Sequence, residues 1–271
     1  MAISTVGANI LLGWMERDEA IAYLQNECCF DPPLTYEQAE ARWNEYRNRV
    51  DALPERDITP LERHPIPEAQ RQLVNTFKAR FRGDPEIIDV LNIDPMKLLA
   101  YQFYVVTDRA EHHVRQAADW ARKFLVLDRP VAQLPIRNEN GTLKIRLPHG
   151  EHMIALQPDG AFRIQQGAGF VSVAGIDGRL LLKAGYHRSF AFGRAMLNEP
   201  DARAKCALVV LTRTLPPQLS PDFPHQGLRT MVRGSRPALL ADFFDLNLAM
   251  TVRLRKRAYE MHLKMVPVDD P

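Results

Sequence analysis

The run IDGRLLLKAGYHRSFAF, residues 176–192, is where the local signals of this chain change in quick succession. Asp177-Gly178 is a two-residue hairpin signal, because both positions tolerate positive φ. The apolar run Leu180–Leu182 that follows reads as a strand, ending at Ala184. Gly185 permits a sharp turn and a close backbone approach. From Tyr186 to Asn198 the pattern is that of a helix, opening with the polar residues His187, Arg188 and Ser189. The continuous apolar run Cys206–Leu211 then predicts a buried strand. The unit is therefore strand, glycine, helix, strand.

Working outward toward the C-terminus, Pro216–Pro224 is a Pro-rich loop. Tyr259, Met261, Leu263 and Met265 alternate with Glu260, His262 and Lys264, as on a half-buried strand. Toward the N-terminus, turn signals recur at Asn140-Gly141, His149-Gly150 and Asp159-Gly160. Between them lie the strand-like runs Leu143–Leu147, Met153–Leu156, Phe162–Ile164 and Phe170–Val173. Together with Leu180–Leu182 they predict a β-meander. Before Pro130 the periodicity is helical. Met15–Cys29 is one expected helix, stopped by Pro32-Pro33. Thr35 precedes Gln38 by three residues, a capping box. The helix it starts places Ala39, Trp43, Tyr46 and Val50 on one face. Pro67 suits the first turn of a helix carrying Leu73, Val74, Phe77 and Phe81, which Gly83 ends. Further helices are expected over Pro85–Leu91, Pro95–Val106 and Arg109–Leu127. The expected fold is α+β: a helical region over residues 1–129, with no more than two strands before residue 120, packed on a β-rich region over 130–271.

Composition bounds the function classes. The chain has 271 residues, 46% hydrophobic and 25% charged, with net charge +2, as in an ordinary globular protein. No apolar window approaches the ~18 residues of a membrane helix. The apolar start, Met1 to Trp14, lacks a basic stretch, so no signal peptide is expected. Cys28, Cys29 and Cys206 are an odd count with two neighbours adjacent. That predicts free thiols and a reducing, cytoplasmic setting. Residues 1–130 carry 16 Lys and Arg against 21 Asp and Glu, while residues 131–271 carry 19 against 12. The second half therefore favours an anionic partner.

A helix start offers unpaired N–H groups and the positive end of its dipole. With His187, Arg188 and Ser189 in its first turn, the helix after Gly185 is a candidate anion site. Arg188 has the fork geometry for phosphate. Local hydrogen bonding of the same side chains is the alternative. At these residues the sequence resembles the nucleotide-binding box of the ParB/sulfiredoxin superfamily, over residues 170–212. The box of ParB proteins is a glycine, an acidic residue and two arginines, and that of sulfiredoxins is Gly-Gly-Cys-His-Arg. Gly185, His187 and Arg188 match the latter, while Tyr186 stands where its catalytic cysteine would be. The resemblance implies a ParB-like strand–helix–strand unit with phosphate contacts at Gly185, Tyr186, His187, Arg188 and Ser189. The departure at Tyr186 argues against sulfinic acid reduction. Neither an upstream proline–arginine segment nor a helix-turn-helix after the box is present.

Other candidates are fewer. Arg253, Arg255, Lys256 and Arg257 form a basic run, read either as a charge-protected strand edge or as a nucleic-acid phosphate contact. His149 and His152 lack two further ligands for zinc. His112 and His113 point in different directions on a helix. Asp242 and Asp245 flank two phenylalanines and suit helix capping. No metal site and no particular cofactor is indicated. Three functions remain in view: a nucleotide- or nucleic-acid-binding protein of ParB-like type, a phosphoryl-transfer or hydrolytic enzyme using Asp177 or Glu199, and a scaffold whose helical half binds a protein partner.

Overall fold

The computed structural model describes residues 4–56, 62–115, 119–125, 136–139, 142–148, 152–156, 162–166, 169–201, 203–219, 226–256 and 258–264. In chain order the elements are β1 (Thr5–Ile10), α1 (Arg17–Asn26), α2 (Tyr36–Asp51), α3 (Glu68–Arg80), β2 (Ile87–Ile93), β3 (Tyr104–Val106), α4 (Thr107–Arg115) and α5 (Trp120–Phe124). They continue with β4 (Ile136–Glu139), β5 (Thr142–Pro148), β6 (His152–Leu156), β7 (Phe162–Gln166), β8 (Ser172–Ile176) and β9 (Arg179–Ala184). The last are α6 (Tyr186–Ala195), β10 (Ala207–Thr212), α7 (Gln226–Arg233), β11 (Met250–Arg255) and β12 (Ala258–Lys264). The fold class is α+β, as expected. Among the described residues no helix is long and apolar enough to cross a membrane.

The strands form sheets of order β11-β1-β3, β2-β10-β8-β9, β12-β5-β4 and β6-β7. All pairings are antiparallel except that of β8 with β10. This corrects the simple meander: the chain leaves β8, returns through β9, crosses over in α6 and lays β10 parallel to β8. The expectation for the first half is also corrected, since three strands precede residue 120. Thr5–Ile10 is a central strand rather than an apolar terminus. Ile87–Ile93 is a strand, not a helix, because its β-branched run pairs with β10 from Ile87↔Thr212 to Ile93↔Ala207. Pro95–Val106 is only a 3-10 turn at Pro95–Lys97 followed by β3. Its main chain is spent on distant partners: Leu99 N–H donates to Leu180 O at 3.0 Å and Ala100 N–H to Ala238 O at 2.8 Å. Arg109–Leu127 becomes the separate helices α4 and α5. The expected division at 129/130 runs through two sheets, each of which draws strands from both sides of it.

Several local expectations hold. Thr35 Oγ1 accepts from Gln38 N–H, and the Gln38 side chain accepts from Thr35 N–H. Ala39 and Val50 of α2 are buried, with Trp43 and Tyr46 packed half-buried beside them. Gly83 has φ +86° just past α3. Asp177 and Gly178 take φ +49° and +77° between β8 and β9. Cys28, Cys29 and Cys206 are free thiols, and burial pushes Cys28 up to about 12. The turns at 140–141, 149–150 and 159–160 lie outside the described residues.

The main core gathers α6, the sheet β2-β10-β8-β9 and the segment Leu240–Phe244. Phe190 stacks on Phe244 at 4.4 Å, and Phe192 meets Phe124 and Trp120 edge-on at 5.4 Å each. Asp242 is not only a cap for Leu239 N–H at 2.7 Å. It also receives Arg56 bidentately, at 2.6 and 2.8 Å, while Arg56 reaches Pro237 O at 2.9 Å. Asp242 is 5% exposed, so removing one partner leaves a buried charge. Asp242→Ala is expected to lower unfolding free energy by about 3–5 kcal/mol, with Asp242→Asn less severe, as measured by urea denaturation.

Candidate functional site

Gly185 sits where the sequence places it, between β9 and α6, with φ +98°. A Cβ there would lie 2.7 Å from Val171 Cγ2 and 3.1 Å from Val171 Cα. Both the backbone conformation and the space therefore call for glycine. Its carbonyl accepts Ser189 N–H at 2.9 Å and closes the first turn of α6.

The four residues that follow do different things. Tyr186 is buried, and its hydroxyl accepts from Tyr101 N–H at 2.8 Å and Gln102 N–H at 3.2 Å. It ties α6 to the segment before β3. Arg188 donates to Lys123 O at 2.8 Å and Gly169 O at 2.9 Å, so its fork joins α5 to the chain entering β8. His187 and Ser189 are the unusual pair. Ser189 is fully buried. Among the described residues its Oγ, like the solvent-shielded Nε2 of half-buried His187, has no hydrogen-bond partner. Orphaned buried polar atoms are rare and costly.

Charge surrounds this pair. Burial, then Arg109, His113 and Arg188, push His187 down to about 3. Burial, then Arg188, Lys123, His112 and Arg109, push His113 down to about 4. Lys123 is also lowered, by burial and then by Arg188, and its Nζ donates to His113 O at 2.9 Å. Three helices thus bring basic groups together: Arg109 and His113 from α4, Lys123 from the end of α5, and His187 and Arg188 from α6. The dipole of α6 adds to these groups, and both imidazoles favour the neutral form at pH 7. The start of α6 thus carries a buried hydroxyl and a shielded imidazole nitrogen, on different faces of the helix, with basic groups beside the imidazole.

Arg109, His113 and Lys123 escaped the sequence reading. A faint signal exists, since Arg109 and His113 stand four apart on one helix face. Nothing local connects that face to residue 187.

The remaining candidates lie elsewhere. Arg253 and Arg255 are exposed on β11, at the edge of sheet β11-β1-β3. That edge is covered by main chain as well as by charge: Cys29 N–H donates to Arg253 O at 2.7 Å and Arg255 N–H to Glu27 O at 2.9 Å. Arg257 and His149 lie outside the described residues, and His152 opens β6. Asp177 pairs with Arg233 at 2.8 Å, at the far end of β9 from Gly185. Glu199 accepts from Asp201 N–H at 3.1 Å in the turn after α6. Asp245 accepts from Asn247 N–H at 2.8 Å, a local cap as expected. Among the described residues no group of three or more His, Cys, Asp or Glu could hold a metal ion.

Gly185→Ala is expected to cost about 1–3 kcal/mol of stability through its strained φ and the clash with Val171, measured by urea denaturation. The two histidines set a pH dependence. Each binds a proton more weakly in the native chain than in the unfolded one, whose ordinary value is 6.5. Their stabilisation is full above about pH 6.5 and is lost as pH falls toward the native values. The slope is at most about 1.4 kcal/mol per pH unit for each. Urea midpoints are expected to fall between about pH 6.5 and pH 5, and His187→Leu is expected to flatten that decline.

In comparison with known proteins, the chain matches no protein-family model, no curated protein and no solved structure.

Proposed function

We propose that this chain binds a phosphate-bearing ligand, a nucleotide or a nucleic-acid phosphate, at the start of α6, in the manner of the ParB-like box that its sequence resembles. The observation that carries this reading is a pair of buried atoms without a hydrogen-bond partner among the described residues, His187 Nε2 and Ser189 Oγ, with Arg109 and Arg188 beside His187. A phosphate oxygen would satisfy either atom, and the helix start would favour its charge. Arg188 serves in this reading as frame and field, because its guanidinium already holds two carbonyls. The positions of Asp177 and Glu199 give the hydrolytic alternative no support at this site. The place of a sulfiredoxin cysteine is taken by a buried tyrosine that holds main chain.

Arg188→Ala is a poor test, since it breaks two structural hydrogen bonds. Ser189→Ala is a clean one. Removing an unpaired buried hydroxyl leaves stability unchanged or raises it by up to about 1 kcal/mol. If the hydroxyl contacts the ligand, affinity falls roughly tenfold. ATP, GTP, inorganic phosphate and a short single-stranded oligonucleotide, titrated by calorimetry, are expected to show at least one binder whose affinity drops in Ser189→Ala. Equal affinity in both proteins, or no binding by any of the four, overturns the reading.

A further inference from the structure

The strands β4, β5 and β12 form an antiparallel sheet whose register sorts its residues into two faces. Residues directly opposite one another share a face, and successive residues along a strand alternate between faces. One face collects Leu143, Ile145 and Leu147 of β5 with Leu263, Met261 and Tyr259 opposite them on β12. The other face carries four bases, Arg137, Lys144, Arg146 and Lys264, against two acids, Glu139 and Glu260. An apolar face of that size is what folding withdraws from water. In an antiparallel sheet the polar face is then the one that remains solvated.

The middle row of the charged face sets like against like. Arg137 of β4 stands opposite Lys144 of β5, and His262 of β12 stands on the other side of Lys144. The two acids lie in the rows to either side, Glu260 opposite Arg146 and Glu139 opposite Thr142. Like charges directly opposite across strands destabilise a sheet. A row that opposes pairing in this way is explained by an anion that lies across the strands. The chain also enters this sheet from a basic run, since β11 ends at Arg255, β12 begins at Ala258, and Arg253, Arg255 and Lys256 are exposed.

What the charged face lacks narrows the partner. Among the described residues it holds no Phe, Trp or Tyr and no Leu, Ile, Val or Met. A membrane surface is held by apolar residues set among the lipids as well as by charge. A protein partner is held by a buried apolar centre. Single-stranded nucleic acid is held by bases stacked on aromatic rings. A duplex keeps its bases paired inside and offers a line of phosphates along its outside, which cations alone can follow.

We propose that the charged face of the sheet β12-β5-β4 binds the phosphate backbone of a nucleic-acid duplex, independently of sequence, through Arg137, Lys144, Arg146 and Lys264. The proposal does not rest on the anion site at α6. The test uses the full chain and labelled DNA duplexes of two unrelated sequences, read by fluorescence anisotropy as NaCl is raised from about 50 to 200 mM. Both duplexes bind with equal affinity, and log affinity falls linearly with log salt, by about 0.9 for each phosphate contacted. Arg137→Gln and Lys144→Gln each weaken both duplexes several-fold and reduce the salt slope by about 1. Lys264→Gln, at the last position of β12, replaces either variant if it loses the circular dichroism of the parent. Lys144→Arg, which keeps the charge, binds as the parent does. Arg71→Gln, at an exposed position of α3, changes nothing. Ser189→Ala also leaves duplex binding unchanged, so that failure at this sheet and failure at α6 are read separately. The proposal is overturned if neither duplex binds at the lowest salt, or if a component single strand binds more tightly than its duplex. It is equally overturned if one sequence is strongly preferred, or if the folded Gln variants keep the affinity and salt slope of the parent.

Discussion

The arrangement depends on β10. Ala207–Val210 are buried, and a strand buried in this way must have hydrogen-bonding partners along both of its edges. It finds β2 on one side, brought from more than a hundred residues earlier, and β8 on the other. The partner β8 runs parallel, and a parallel neighbour cannot be reached by a tight turn. The crossover through β9 and α6 is the consequence. Where β9 ends and α6 begins, the chain must turn within one residue against Val171, and Gly185 is the residue that allows it.

The same crossover decides which side chains meet at the start of α6. Its inward face supplies Phe190 and Phe192 to the core, and the edge-on contacts of Phe192 with Phe124 and Trp120 bring α5 alongside. Once α5 is there, the carbonyl of Lys123 is within reach of Arg188, and α4 presents Arg109 and His113 to His187. Bringing like charges together and shielding an imidazole from water both oppose folding. The molecule accepts this by keeping both histidines neutral.

Tyr186 ties the crossover to the N-terminal part of the chain. Its hydroxyl holds the main chain of Tyr101 and Gln102, while the next residue, His187, lies beside Arg109 and His113 of α4.

Features governed by a few consecutive residues were legible in the sequence: the Thr35–Gln38 capping box, the Asp177-Gly178 turn, the stop at Gly83 and the glycine entry to α6. Each rests on local φ/ψ preference or on a hydrogen bond within one turn, which no distant partner has to complete. Helix or strand for Thr5–Ile10, Ile87–Ile93 and Tyr104–Val106 was decided by partners far along the chain. A short apolar run satisfies either periodicity until its edge bonds are assigned. The site divided in the same way. The sequence by itself determined that His187, Arg188 and Ser189 open a helix after a glycine. Only the tertiary structure decided that Arg188 would be spent on carbonyls, that Arg109 and His113 would stand beside His187, and that Ser189 would be fully buried. The physical reason is that helix capping acts within one turn, whereas burial and electrostatic potential are sums over neighbours that folding alone brings together.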